Sequence, residues 1–220
     1  MLNRPLVKLC GIRSLSDLET AVPFNPDYIG FIFAESKRRV KSEDARRWLG
    51  QFSKEELPKA AGVFVNASDK EVIRTAAEIP LDVVQLHGDE SAERVFRMKS
   101  ETGLQVWKAL RHHEAILDEM KGYEGAADGF VIDAFVRGAR GGTGTSFNWD
   151  GVPDLLMEAR KQKVPCFIAG GIRPDNVEKL LAFEPDGIDV SSGIETDEQK
   201  DVLKIGELMG KVEHYEYKLS

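Results

Sequence analysis

The sequence predicts an α/β protein, a single-domain (β/α)8 barrel, and three observations point to it. Eight short β-branched and aromatic runs recur along the 220 residues. A polar stretch of helical period follows each run. The length suits eight such units, because about 250 residues is usual for this barrel and about 200 is its lower end. Strict alternation of strand and helix argues for a parallel sheet. An open doubly wound sheet is the rival, but its central strands read longer and wholly apolar, because helices cover both faces.

The strand candidates, in order, are LVKLC (6–10), YIGFIF (28–33), AGVFV (61–65), DVVQL (82–86), QVWKAL (105–110), GFVID (129–133), PCFIA (165–169) and GIDVS (187–191). The helical stretches after them are SLSDLETAV, SEDARRWLGQF, SDKEVIRTAAEI, DESAERVFRMKS, HEAILDEMK, DGVPDLLMEARKQ, RPDNVEKLLAF and DEQKDVLKIGELMGKV. Ser42, Ser68 and the pair Asp175-Asn176 read as helix caps, since their side chains accept from free backbone N–H groups. No linker, low-complexity segment or second domain interrupts the pattern, so residues 1–220 are expected to form one catalytic barrel.

Composition bounds the partners. The net charge is −7, which argues against nucleic acid, since that partner needs a basic face. No run reaches the roughly 18 apolar residues of a membrane span. The start, MLNRPLVKLCG, has no apolar stretch long enough for a secretory signal. Two cysteines without a CxxC spacing make no disulfide framework, so Cys10 and Cys166 are expected as free thiols in a reducing cytoplasm.

Polar side chains then mark one end of the barrel. Strand side chains alternate between faces. The parity expected to point inward carries Lys8 and Cys10 on strand 1, Gln85 on strand 4 with His87 just past it, Lys108 on strand 5, Asp133 on strand 6, and Asp189 and Ser191 on strand 8. Buried polar groups are costly unless paired or functional. In a barrel these converge at the C-terminal mouth, where barrel enzymes do chemistry. Lys8 is expected to pair with Asp189 on the neighbouring strand, as a structural ion pair. His87 reads as a packed or hydrogen-bonded residue of the mouth rather than a catalyst, and Trp107 and Trp149 read as packing residues.

Two long connections, AESKRRVK (34–41) and AFVRGARGGTGTSFNW (134–149), are rich in arginine and suit an anionic ligand. The turns after strands 7 and 8, AGGIRPDNV and VSSGIETDEQ, both place glycines between a strand and a helical turn. Glycine lets backbone N–H groups approach an anion, and a phosphate cup after strands 7 and 8 recurs in barrels. There is no Walker A loop and no GxGxxG. Cys10 and Asp133 sit at strand ends that face each other across the mouth, which suits a base and an acid.

With these residues in place the sequence resembles the phosphoribosylanthranilate isomerase family along essentially its whole length. The carriers are VKLCGI (7–12), GFIFAESKRRV (30–40), GVFVN (62–66), VVQLHGDE (83–90), VIDAF with GGTGTSFNW (131–149), IAGGIRPDNV (168–177) and DVSSGIE (189–195). The resemblance implies an Amadori rearrangement in tryptophan biosynthesis. It assigns Cys10 as general base, Asp133 as general acid, and Arg38 rather than Arg39 as the holder of the anthranilate carboxylate. Gly142, Gly144, Gly170, Gly171, Ser191, Ser192 and Gly193 fall in the phosphate-facing loops. Many members carry Pro where Lys37 stands and Asp where Asn148 stands. The implied partner is a phosphorylated aminoaldose, handled by a monomer or homodimer. No metal or organic cofactor is implied, because the substrate's own nitrogen supplies the electron sink. A histidine-pathway Amadori isomerase is the nearest alternative, and it pairs two aspartates. A non-catalytic phosphometabolite-binding protein would need the phosphate loops but neither Cys10 nor Asp133. A thiol oxidoreductase is disfavoured by the absence of a CxxC relation.

Overall fold

A computed structural model of the chain describes residues 4–133 and 149–215. Its strands are β1 Leu6–Cys10, β2 Tyr28–Ile32, β3 Lys59–Phe64, β4 Val83–Leu86, β5 Gln105–Arg111, β6 Gly129–Asp133, β7 Cys166–Ala169 and β8 Gly187–Val190. All eight pair in parallel and in chain order, and β8 returns to β1, so the sheet closes into a barrel. The helices between them are α1 Leu15–Ala21, α2 Ser42–Leu49, α3 Asp69–Glu78, α4 Ala92–Thr102, α5 Ile116–Lys121, α6 Val152–Lys161, α7 Val177–Leu181 and α8 Val202–Glu213. The alternation read from the sequence is the observed architecture, with strand ends displaced by at most two residues.

The caps divide. Ser68 accepts from Glu71 N–H, and Ser91 accepts from Arg94 N–H. Ser42 does not cap: it is the first residue of α2, and its hydroxyl donates to Glu78. Asn176 stands at the start of α7, but its side chain turns back into the preceding loop, accepting from Arg173 N–H and donating to Gly171 O.

The core has two layers. The larger lies between barrel and helices and includes Trp149. The smaller fills the barrel with Tyr28, Ala61, Val83, Trp107, Ala109, Val131, Phe167 and Ala169. Tyr28 and Trp107 meet edge-on at 4.8 Å between ring centroids, and Trp107 lies 4.6 Å from Phe167. These rings plug the N-terminal half of the barrel and leave the C-terminal half for polar groups.

Two expectations are corrected here. Lys108 does not point inward. Trp107 takes the interior on β5, so Lys108 faces outward, where its ammonium donates to Gly88 O at 2.6 Å and pairs with the buried Glu90 at 3.2 Å. The stretch from Asp197 is not helical at its start. Residues Glu195–Thr196 and Gln199–Lys200 form a short antiparallel hairpin, β9 and β10, and α8 begins only at Val202. Asp197 and Glu198 make its turn with φ of 48° and 64°, and Asp201 caps α8 by accepting from Leu203 and Lys204 N–H groups.

Candidate active site

The mouth of the barrel holds a cavity of about 320 Å³. Cys10, Arg38, Asp133, Gly170, Gly171, Ser191, Ser192 and Gly193 all line it, as do Gln85, His87 and Asp189. The expected base, acid, arginine and glycine loops are therefore brought to one place. Gly142 and Gly144 lie outside the described residues.

Cys10 ends β1 directly opposite Gly30 of β2. A Cβ at Gly30 would stand 2.7 Å from the Cys10 sulfur, so only glycine leaves room for the thiol there. Two strand positions below the lip, Lys8 is wholly buried and pairs with Asp189 at 2.7 Å, its register partner on β8. The expected pair is present. Burial by itself would lower the Lys8 pKa, but Asp189 and Cys10 outweigh it and hold the ammonium above its ordinary value. Cys10 experiences the opposite balance. Burial pushes its thiol pKa up, and the pull of Lys8 and Lys200 offsets this only in part.

Across the cavity Asp133 ends β6 with its carboxylate 4.0 Å from His87 Nε2. Burial lowers the His87 pKa in spite of the pull of Asp133 and Asp189, and Lys8 and Lys108 add to the lowering. Asp189 Oδ1, Gln85 Oε1 and Ser191 Oγ are buried without a hydrogen-bond partner among the described residues. Polar atoms so placed are suited to a polyhydroxylated ligand, because an unmade buried hydrogen bond costs about 1–3 kcal/mol.

The phosphate side is built by close approach of two loops. Gly170 and Gly171 turn with φ of 90° and 67°. A Cβ at Gly193 would fall on the carbonyl oxygen of Ile172, so the loop after β8 packs directly on the loop after β7. Arg38 lies on the other side. Its Nε and Nη2 donate to Glu195 at 2.8 and 2.6 Å, and this pairing raises the guanidinium pKa further. The opposite end of the guanidinium, at Nη1, is not used by Glu195. Glu195 is itself held by Lys200 at 3.0 Å. Burial favours its neutral form, but Arg38 and Lys200 prevail and lower its pKa.

Neither Glu195 nor Lys200 is a site residue in the sequence reading: Glu195 falls in the turn VSSGIETDEQ without a role, and Lys200 falls in the stretch from Asp197 that reads as helix. The usable signal was Asp201 in front of VLKI, a cap that starts α8 after both residues.

Comparison with known proteins agrees with this geometry. The family model described as N-(5'phosphoribosyl)anthranilate (PRA) isomerase matches residues 7–211. The chain belongs to this family. It is 50% identical over 209 residues to N-(5'-phosphoribosyl)anthranilate isomerase of Geobacillus thermodenitrificans, covering 95% of this chain and 94% of that one. Identity to the Bacillus subtilis enzyme of that name is 47%, over 91% of each chain. A phosphoribosyl anthranilate isomerase solved with reduced 1-(o-carboxyphenylamino)-1-deoxyribulose 5-phosphate superposes with a TM-score of 0.77 at 27% identity, covering 96% of this chain and all of that one. The Thermotoga maritima isomerase, described as dimeric and solved as generated monomers, gives 0.79 at 28% identity over the same shares.

Proposed function

We propose that Cys10 and Asp133 are the base and acid with which this isomerase of tryptophan biosynthesis rearranges N-(5-phosphoribosyl)anthranilate to 1-(2-carboxyphenylamino)-1-deoxyribulose 5-phosphate. The observation that carries the assignment is their place on opposite walls of one cavity, with glycine loops at one rim and Arg38 at another.

The chemistry follows in steps. Asp133 protonates the furanose oxygen, which makes it a better leaving group. The ring opens as the anthranilate nitrogen forms a C=N bond to C1′, giving a cationic Schiff base. That cation acidifies the C2′ proton, and the Cys10 thiolate removes it. The electron pair moves into the C1′–C2′ bond, forming an enolamine. Protonation at C1′ and loss of the enol proton then give the ketone, so one hydrogen has moved from C2′ to C1′ and nothing has been oxidised. The raised Cys10 pKa fits this order, because a thiolate is costly in the empty pocket and is compensated once the iminium forms against it.

Remote groups hold the ends of the substrate. Backbone N–H groups of the loops at 170–172 and 191–194 take the phosphate, with Ser191 and Ser192 beside them, and the free end of Arg38 takes the carboxylate. Fixing both ends places C2′ beside Cys10 and makes the step effectively intramolecular. The whole chain, 1–220, works as one catalytic barrel in the cytoplasm, as a monomer or homodimer; sedimentation velocity on the purified protein distinguishes the two.

The test is loss of anthranilate-type fluorescence on adding the protein to N-(5-phosphoribosyl)anthranilate, with Cys10→Ala beside it. Rapid loss in the wild type and little in the variant is the expected result. Equal loss in both would remove Cys10 as the base, and no loss in either would remove the reaction.

A further inference from the structure

The β9–β10 hairpin reaches the two ends of the site at once. Lys200 has no exposed side-chain surface, and its ammonium makes three contacts. It donates to the carbonyl of Cys10 at 2.6 Å, to the carbonyl of Ser191 at 3.3 Å, and to Glu195 at 3.0 Å. Glu195 then grips Arg38 with both oxygens. The hairpin is anchored at its far end as well. Lys200 N–H donates to Asp17 on α1, and Glu198 at the turn meets Arg13 and Lys37 on either side. At Gly11, where φ is +80°, a Cβ would stand 2.7 Å from Arg38 Cδ, so the arginine crosses directly over the residue after Cys10.

We propose that Lys200 and Glu195 are positioning residues that couple the base to the carboxylate-binding arginine. Lys200 fixes the lip that carries Cys10, and Glu195 turns the free end of Arg38 toward the substrate. A buried lysine is expensive to keep charged, and burial does lower the Lys200 pKa. Its three acceptors all belong to the site, so the cost is borne where catalysis needs fixed geometry. The inference rests on the proposed role of Arg38.

Steady-state kinetics on N-(5-phosphoribosyl)anthranilate test it, with inhibition by inorganic phosphate as a control for the phosphate rim. Glu195→Gln removes the charge that orients Arg38 and leaves the Cys10 carbonyl bonded. Its KM is expected to rise about tenfold with kcat little changed. Lys200→Met releases both ends, so KM rises and kcat falls, each roughly tenfold. Lys200→Arg restores most of both. The double variant Glu195→Gln/Lys200→Met has the KM of Lys200→Met alone, because the two act through one link. The phosphate inhibition constant of Glu195→Gln stays at the wild-type value.

Several results would overturn the coupling. One is an unchanged KM in Glu195→Gln. Another is a double variant whose KM increase is the product of the singles. A third is a Lys200→Met protein that loses only thermal stability. If the wild type converts the substrate and the variants match it, the coupling alone fails; a wild type that converts nothing overturns the reaction and the coupling together.

Discussion

The two ends of the barrel interior make opposite use of the same kind of strand position. Toward the N-terminal end, Tyr28, Trp107 and Phe167 close the barrel with tilted and edge-on rings. Toward the C-terminal end, the neighbouring strands β1, β4, β6 and β8 present Cys10, Gln85, Asp133 and Asp189 around a cavity. Ring burial stabilises without specifying any chemistry. The polar end works against stability, since it holds a thiol with a raised pKa and three buried polar atoms without partners among the described residues, against one, Trp107 Nε1, in the plug. The plug keeps the site shallow and rigid, so the mouth is able to carry groups that a uniformly packed core would exclude. Mutations at the two ends should therefore fail in different ways.

The largest effect is expected at the mouth. Cys10→Ala should lower kcat by about 10²–10⁴-fold, the usual range for a positioned base. The sulfur is a small buried group, so urea unfolding should shift by only about 1 kcal/mol. A variant that unfolds readily yet keeps kcat would place Cys10 with the plug instead. The pH profile sharpens this. Because the Cys10 pKa is raised, alkylation of the free enzyme by iodoacetamide should still be climbing with pH above about 8.5, the ordinary thiol value. Cys166 is fully buried with its own pKa raised, so it should contribute little to that curve. A plateau near pH 7 would mean that Lys8 and Lys200 overcome burial.

The plug should show the reverse. Trp107→Ala opens a large void and should cost about 3–5 kcal/mol in urea unfolding. At low temperature, where the variant remains folded, kcat should match the wild type. A large loss of kcat with intact folding would mean that the rings set the geometry of the mouth.

Much of this contrast was legible in the sequence, and the reasons are specific. Strand 1 carries Lys8 and Cys10 at a spacing of two, and strand 8 carries Asp189 at the matching level, so the pair and the lip followed from alternation and ring order. Lys108 misled because QVWKAL offers a large side chain on both faces. The choice between Trp107 and Lys108 is made by Tyr28 and Phe167, which come from distant strands. The hairpin misled because its turn uses Asp197 and Glu198 at positive φ, without the glycine or asparagine that usually marks such a turn. Charged residues in a row before an apolar helix read as its first turn. Tertiary contacts override that reading, since Lys200 finds buried acceptors at the mouth and Glu195 finds Arg38.

Lys8→Met sits between the two ends. It removes one partner of a buried pair and should cost about 3–5 kcal/mol, because Asp189 is left buried and uncompensated. Lys8→Met/Asp189→Leu should recover most of that stability and not the activity, since Asp189 faces the cavity. The sign of the pH dependence is fixed by the raised Lys8 pKa. Its contribution is fully present below the unfolded value of about 10.4 and is lost as pH rises through the higher folded value. The stability gap between wild type and Lys8→Met should be flat from pH 7 to about 10 and narrow above that. A Lys8→Met protein with full activity and wild-type stability would end the idea that the pair matters at all.

Glu195→Gln should cost less stability than Lys8→Met, about 1–3 kcal/mol, because its amide oxygen can still accept from Lys200, while marking the mouth by its pH dependence. The Glu195 pKa is lowered, so its contribution is present above the unfolded value of about 4.3 and disappears as pH falls through the lower folded value. Urea midpoints of wild type and variant should differ by a constant amount near neutrality and converge in strong acid. Convergence would locate the interaction in the carboxylate that faces Arg38 and Lys200. A gap that persists below pH 3 or so would assign it to packing of the hairpin, and would place Glu195 with the stabilising end of the barrel rather than the reactive one.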